Sequence, residues 1–268
     1  MPTYDDELEF ARELAVAAGE VLLRHFGAAL EVQMKGWADP VTVADRESEA
    51  LIEAAIRQRF PGDGVDGEEL GRRPGTSGRI WIVDPLDGTA NYSGGMPIFA
   101  VVLTLVDASD PRVALLNVTY DPVRRELFQA VRGGGARLNG RRVQASAHDD
   151  LSRALIHLHF SNKRQLWEAS MELARRVTFV APHARDIGST ALAQAYVAAG
   201  RLDGHVKVQS GTWDVVGGNL LVEEAGGIVT DLAGGPWQYG GTLCAAGPAL
   251  HSKLVDVVNQ GDVTWLPR

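Results

Sequence analysis

The chain reads as a mixed α/β protein of the α+β kind, on three observations. An amphipathic helix opens it, with Leu8, Ala11, Leu14, Ala15, Ala18, Val21 and Leu22 at helical spacing. Near-unbroken apolar runs, Ile98 to Val106 and Val113 to Tyr120, suit buried strands. These strands follow one another without helices between them, so the regular βαβ alternation of a doubly wound sheet is missing.

The first helix runs to His25, a residue suited to a helix C-terminus. Glu31 to Met34 suggest a short strand. Gly36 and Pro40 make Lys35 to Asp45 a loop. A second helix follows, with Ala50, Leu51, Ala54, Ala55 and Ile56 on its apolar face, and Phe60-Pro61-Gly62 ends it. Asp45 before it is open to two readings, an N-cap or a functional acid. Asp63 to Glu69 is a glycine-broken acidic loop whose spacing does not fit an EF-hand. Arg72 to Gly78 has the look of a flexible segment.

Trp81-Ile82-Val83 is a strand that should stop at Asp84, because Pro85 cannot donate to a ladder. Asp87 and Gly88-Thr89 follow. They put two carboxylates at the mouth of a strand, beside a backbone that can approach a ligand closely. Alone, Asp87-Gly88 is a common turn dipeptide.

Glu126 to Val131 is a further strand, and Asn139-Gly140 signals a hairpin. The pattern resets near Ala145, which divides the chain into an N-terminal α+β region, 1–145, and a C-terminal α/β region, 146–268. Ala154 to Phe160 is a strand on which His157 and His159 share a face. A metal pair and a purely structural role are both open to them. Lys163 to Arg176 reads as helix, Thr178 to Val180 as a short strand, and Ala191 to Ala199 as an alanine-rich helix. Gly204 to Val208 is a strand and Val215 to Ala225 a helix. The strands Ile228 to Thr230 and Thr242 to Ala246 and a helix Pro248 to Val258 complete the pattern.

Composition narrows the function. With 45% hydrophobic and 22% charged residues in 268, the chain can bury a sizeable core. A net charge of −8 argues against nucleic acid or an anionic membrane as partner and suits carboxylates that hold cations. The single cysteine, Cys244, leaves no internal disulfide and no thiolate zinc cluster. Met1 to Glu7 lacks a signal-peptide pattern and no apolar run is long enough to span a bilayer, so the expected location is cytoplasmic. A kinase or nucleotide switch would need a glycine-rich loop ending in Gly-Lys-Ser/Thr, which is not present.

Several motifs in order resemble the inositol monophosphatase family of magnesium-dependent, lithium-sensitive phosphomonoesterases. They are Val41-Thr42-Val43-Ala44-Asp45, Gly67-Glu68-Glu69, Trp81-Ile82-Val83-Asp84-Pro85-Leu86-Asp87-Gly88-Thr89, Tyr196 to Gly204, and Trp213-Asp214-Val215-Val216-Gly217-Gly218. The resemblance covers almost the whole chain. It implies a layered αβαβα sandwich, shared with fructose-1,6-bisphosphatases, and a homodimer. It implies two or three Mg²⁺ ions, which Mn²⁺ can replace. Glu68, Asp84 and the Leu86 carbonyl would hold the first ion. Asp84, Asp87 and Asp214 would hold the second, and Glu68 would touch a third. Asp45 and Thr89, counted with Glu68 as catalytic, would orient the attacking water. The N–H groups of Gly88 and Thr89 would cradle the phosphate. Gly188, Ser189, Thr190, Lys207 and Arg185, with Asp87 and Asp214, would meet the substrate.

The chemistry agrees. A phosphate monoester is a dianion, so its hydrolysis needs charge neutralised and water placed in line. Paired metal ions meet both needs, and all-oxygen ligands favour magnesium or manganese over zinc. The expected activity is phosphomonoester hydrolysis of a small polyol or sugar phosphate, inositol 1-phosphate first. Fructose 1,6-bisphosphate, adenosine 3′,5′-bisphosphate and histidinol phosphate are the alternatives within the family. A non-catalytic regulatory binding protein on the same fold is the alternative of another class. Inositol-selective members of the family usually carry Glu where Lys207 stands, and alanine is common where Thr190 stands. A carboxylate accepts bonds from sugar hydroxyls, whereas an ammonium only donates. Either Lys207 meets a second anionic group on the substrate, with Arg185 assisting, or it points to solvent and selectivity is broad.

Overall fold

A computed structural model describes residues 4–28, 33–36, 39–260 and 265. Helix α1 (Asp5–His25) opens the chain. The short pair β1 (Gln33–Gly36) and β2 (Asp39–Val41) and helix α2 (Val43–Arg59) follow. Next come β3 (Gly64–Gly67), β4 (Gly71–Arg73), β5 (Arg79–Asp87) and the short helix α3 (Thr89–Ser93). Strands β6 (Ala100–Asp107), β7 (Asp110–Asp121), β8 (Glu126–Val131), β9 (Gly135–Leu138) and β10 (Arg141–Arg142) then run in succession. The second half contains β11 (Ile156–His159), α4 (Trp167–Val180), α5 (Thr190–Ala198), β12 (Gly204–Lys207) and α6 (Thr212–Glu224). It ends with β13 (Ile228–Thr230), β14 (Leu243–Ala246) and α7 (Pro248–Asn259).

Eight strands form one sheet in the order β10-β9-β8-β7-β6-β5-β3-β4, and four form another in the order β11-β12-β14-β13. The twofold period of a strand sends alternate residues to opposite layers. Trp81 and Val83 of β5, with Val101, Leu103 and Leu105 of β6, pack on Leu14, Leu22, Ile52 and Ile56 of α1 and α2. Ile80 and Ile82, with Phe128 and Ala130, face the other way, onto Ala193 of α5 and Leu220 and Leu221 of α6. Those helices also cover Ala245 of the small sheet. Ile156, Leu158 and Val206 point away from them, into Leu173 and Val177 of α4 and Leu250 and Leu254 of α7. The layers are therefore α1/α2, large sheet, α5/α6, small sheet and α4/α7, the αβαβα sandwich. Each fully buried aliphatic or aromatic side chain contributes about 1.5–3 kcal/mol to holding these layers together.

Five local expectations are corrected. The expected loop Lys35 to Asp45 contains β2 and the start of α2. Ala50 and Ala54, expected on the apolar face of α2, are exposed, and Ile52 and Ile56 with Ser48 and Glu49 form its buried face. Strand β5 does not stop at Asp84 but continues to Asp87. Its ladder with β6 slips between Asp84 and Asp87, so Pro85 and Leu86 occupy an irregularity where no ladder N–H is needed. The acidic stretch from Asp63 to Glu69 contains β3, paired in parallel with β5. Thr178 to Val180 is the last turn of α4, closed by the Ala181 N–H on Val177 O at 2.8 Å, and α4 itself begins only at Trp167. Glu31 lies outside the described residues.

Candidate active site

The carboxyl end of β5 meets the start of α5 over a cavity of about 660 Å³. Glu68, Asp84, Leu86, Asp87, Gly88 and Thr89 line one side of it. Gly188, Thr190, Lys207, Asp186 and His159 line another. Trp213 and Gly211, at the start of α6, reach it as well.

Each acid is set by a local feature of the chain. The bulge after Asp84 turns the strand so that both Asp84 and Asp87, normally on opposite faces of a pleat, end beside the cavity. Asp84 Oδ1 accepts the Leu86 N–H at 3.0 Å, which closes that bend. Asp87 lies at the N-terminus of α5. Its carboxylate accepts the N–H groups of Thr190 at 3.2 Å and Ala191 at 3.0 Å, and the Ser189 hydroxyl. Backbone donors at a helix start favour negative charge, so the fold aims and supports the Asp87 carboxylate. Ser189 also caps α5 through the Leu192 N–H.

Glu68 follows β3, and its N–H donates to Val83 O at 3.2 Å. The turn after it is held by Glu49 of α2, whose carboxylate accepts the N–H groups of Glu69 at 2.8 Å and Leu70 at 2.9 Å. A Cβ on Gly67 would lie 1.8 Å from Glu49 Oε1, so only glycine lets that carboxylate come this close. Burial pushes the Glu49 carboxyl above its ordinary range, against the pull of those two N–H groups. Sequence reasoning missed Glu49. Its signal is an acid at the i−3 position to Ile52, on the buried stripe of α2.

Asp45 is not the N-cap of α2, which corrects one of its two readings. The N-cap is Thr42, and Asp45 stands three residues on, as the acid of a capping box. Its Oδ2 accepts the Thr42 N–H at 2.8 Å and hydroxyl at 2.6 Å. Its Oδ1 accepts the Thr89 hydroxyl at 3.2 Å. Thr89 Oγ1 also lies 2.9 Å from the Leu86 carbonyl oxygen. Burial raises the Asp45 carboxyl above its ordinary range, opposed by the Thr42 bonds and reinforced by the charge of Glu69. Gly88 sits at φ +96°, and a Cβ there would stand 2.9 Å from Ile98 O, so the turn into α3 demands glycine. Asn91 of α3 donates to Ile98 O at 2.9 Å and Ile187 O at 2.8 Å, pinning this turn to the segment that carries Gly188.

Lys207 is buried, lines the cavity and donates to Thr190 Oγ1 at 3.0 Å. Arg185, expected with it, is exposed and is not among the residues lining the cavity. Its backbone N–H and carbonyl are bonded to Ile156 and Leu158 of β11, which turns the segment so that Asp186 lines the cavity instead. Asp214 lies in the first turn of α6, between cavity-lining Trp213 and the helix body. Its side chain lies outside the described residues.

The donors around the β5 end are all oxygen, from Glu68, Asp84, Asp87 and the Leu86 carbonyl. Hard oxygen sets of this kind fit Mg²⁺ or Mn²⁺. Among the described residues no helix is long and apolar enough to cross a membrane.

The model of the inositol monophosphatase family matches residues 4–262. The chain is 38% identical over 253 residues to the Nus factor SuhB of Salmonella typhimurium, covering 92% of this chain and 94% of that one. Among solved structures, the extragenic suppressor protein suhB from Bartonella henselae superposes with a TM-score of 0.91 at 34% identity. It covers 96% of this chain and all of its own. An inositol monophosphatase from Anabaena superposes with a TM-score of 0.85 at 33% identity, covering 97% and 98%.

Proposed function

The chain belongs to the inositol monophosphatase family, and we propose that it is a magnesium-dependent phosphomonoesterase. Its substrates are phosphate esters of small polyols or sugars, with inositol 1-phosphate as the first candidate. One observation carries this reading. Glu68 after β3, and Asp84, Asp87 and the Gly88-Thr89 turn at the end of β5, border a single cavity, and Asp45 is bonded to Thr89 at its edge.

Glu68, Asp84 and the Leu86 carbonyl would hold one magnesium ion, and Asp84, Asp87 and Asp214 a second. Bound there, the metal supplies charge neutralisation for the phosphate dianion and a more acidic water. The chain's own part is placement. The N–H groups of Gly88 and Thr89 bind phosphate oxygens at the start of α3. The Thr89 hydroxyl, set between Asp45 Oδ1 and the Leu86 carbonyl, orients the attacking water and passes its proton toward Asp45. No serine or cysteine nucleophile is required. On the leaving-group side, Lys207 and Thr190 meet the alcohol. A cation there favours an ester with a second anionic group, so a bisphosphate of a sugar or nucleoside is the alternative substrate. Lithium inhibition and a homodimer belong to the same reading.

The name of the Salmonella relative, Nus factor SuhB, supports a second reading, a binding role toward protein or nucleic acid. Glu68, Asp84 and Asp87 around the cavity favour catalysis. Release of inorganic phosphate from a panel of phosphomonoesters, with and without magnesium and lithium, separates the two. Magnesium-dependent, lithium-inhibited release from inositol 1-phosphate is expected. If no ester yields phosphate, the binding role stands in its place.

A further inference from the structure

His157 and His159 share one face of β11, and Asp186 returns against them from the segment after α4. Backbone bonds fix that return: Arg185 N–H to Ile156 O and Leu158 N–H to Arg185 O, each 2.9 Å. One ligand atom from each of the three residues lies within 4.8 Å of the other two. His157 Nε2 stands 3.3 Å from Asp186 Oδ1, and His159 Nδ1 stands 4.0 Å from it.

We propose that His157, His159 and Asp186 form a second metal site, of the Zn²⁺ class, with three protein ligands and a fourth position open to the cavity. Its ligands are distinct from the magnesium carboxylates, and it does not depend on the phosphatase reading. Zinc bonds of about 2.0–2.1 Å in a tetrahedron place neighbouring ligand atoms about 3.3–3.4 Å apart. The His157–Asp186 separation already matches that edge. The His159 separation closes with a small ring movement, and His159 retains 20% of its side-chain exposure to make it.

Three further features fit a ligand. His157 is wholly buried, and its Nε2, the nitrogen turned to Asp186, makes no well-formed hydrogen bond among the described residues. Its ring is wedged edge-on against that of His205, centroids 4.6 Å apart, so its direction is set. The Asp186 carboxylate is held by the N–H groups of Gly188 at 2.7 Å and Phe160 at 3.1 Å, the outer support that ligating carboxylates need. Two imidazoles and one carboxylate make a softer donor set than Glu68, Asp84 and Asp87, so the two sites select different metals. Asp186 and His159 line the cavity. An ion there adds positive charge to the wall that also carries Lys207.

The test uses Co²⁺ as a visible stand-in for Zn²⁺, added to the whole chain in saturating Mg²⁺. Wild type should take up one equivalent with the absorption of a low-coordinate nitrogen–oxygen site, and Zn²⁺ should displace it. His159→Asn, at the partly exposed ligand, should weaken uptake by at least about tenfold, as should Asp186→Asn. Asp84→Asn should leave the absorption intact, because Asp84 is not one of the three ligands. Circular dichroism checks folding, and wholly buried His157 is left unaltered for that reason. No visible absorption in wild type, equal affinity in His159→Asn, or loss of the band in Asp84→Asn would each overturn the assignment.

Discussion

On the large-sheet side of the cavity, Asp84 and Asp87 are three residues apart and reach one place through a strand bulge. On the small-sheet side, His159, Asp186 and Lys207 come from three separate segments. The first wall is local in sequence, acidic and all oxygen. The second is non-local and mixes nitrogen donors, a carboxylate and an ammonium. On the proposed reading, a phosphoryl group presents the same dianion whatever ester carries it, so the wall proposed to meet it can be a short fixed motif. The alcohol varies, and the wall proposed to meet it is assembled from residues that can change one at a time without disturbing β5.

The hardest blow to this comparison is on the acidic wall. Asp84→Asn or Asp214→Asn should lower magnesium-dependent kcat by at least about a thousandfold, about 4 kcal/mol of barrier. The thermal midpoint of Asp84→Asn should hold or rise, because one of several carboxylates bordering the cavity has been neutralised. Wild-type rates in either variant would break the assignment of that wall. Glu49→Gln should come next. It keeps the size of the side chain but weakens its hold on the Glu69 and Leu70 N–H groups. A loss of about 10–100-fold in activity or magnesium affinity is expected. Magnesium titration of the variant would show the weaker binding directly.

Lys207→Glu sharpens the other wall. The ratio of kcat/KM for inositol 1-phosphate over fructose 1,6-bisphosphate should rise by about tenfold or more. An unchanged ratio removes Lys207 from substrate choice. The smallest effect concerns His251 on α7, behind the small sheet. Burial lowers its pKa below 6.5, partly offset by a backbone bond at Cys244, and its Nε2 lies 2.9 Å from Thr230 Oγ1. The unfolded chain therefore takes up a proton first as pH falls. The stability is present above about pH 6.5 and is lost progressively below it, by at most about 1.4 kcal/mol per pH unit. Thermal melts of wild type and His251→Gln between neutral and mildly acid pH should converge on the acid side.

Periodicity made part of the core legible: Leu14 and Leu22 of α1, Ile56 of α2 and the apolar run Trp81-Ile82-Val83 are buried as their pattern states. The stripe of α2 misled, because Ala50 and Ala54 face outward while Ile52 and Glu49 are buried. The motif from Trp81 to Thr89 also announced its acids, because spacing along one strand end is a local property. Pro85 misled for the same reason: a proline forbids a ladder bond, but only the partner strand decides whether a bulge removes the need for one. The role of Glu49 was hidden because an acid on a helix usually faces water. It acts through the N–H groups of Glu69 and Leu70, about twenty residues away along the chain.

By itself, then, the chain determined a mixed α/β class, the oxygen-rich motif at the end of β5 and, through motifs in order, a family resemblance that implied the αβαβα layering, because hydrophobic period and close-range spacing are written residue by residue. Tertiary structure alone decided that Asp45 bonds to Thr89, that Asp87 is held at the start of α5, that Lys207 lines the cavity while Arg185 does not, and that Asp186 meets His157 and His159. Each of these depends on the distance between segments far apart in sequence, which is fixed only when the two sheets pack on the same pair of helices.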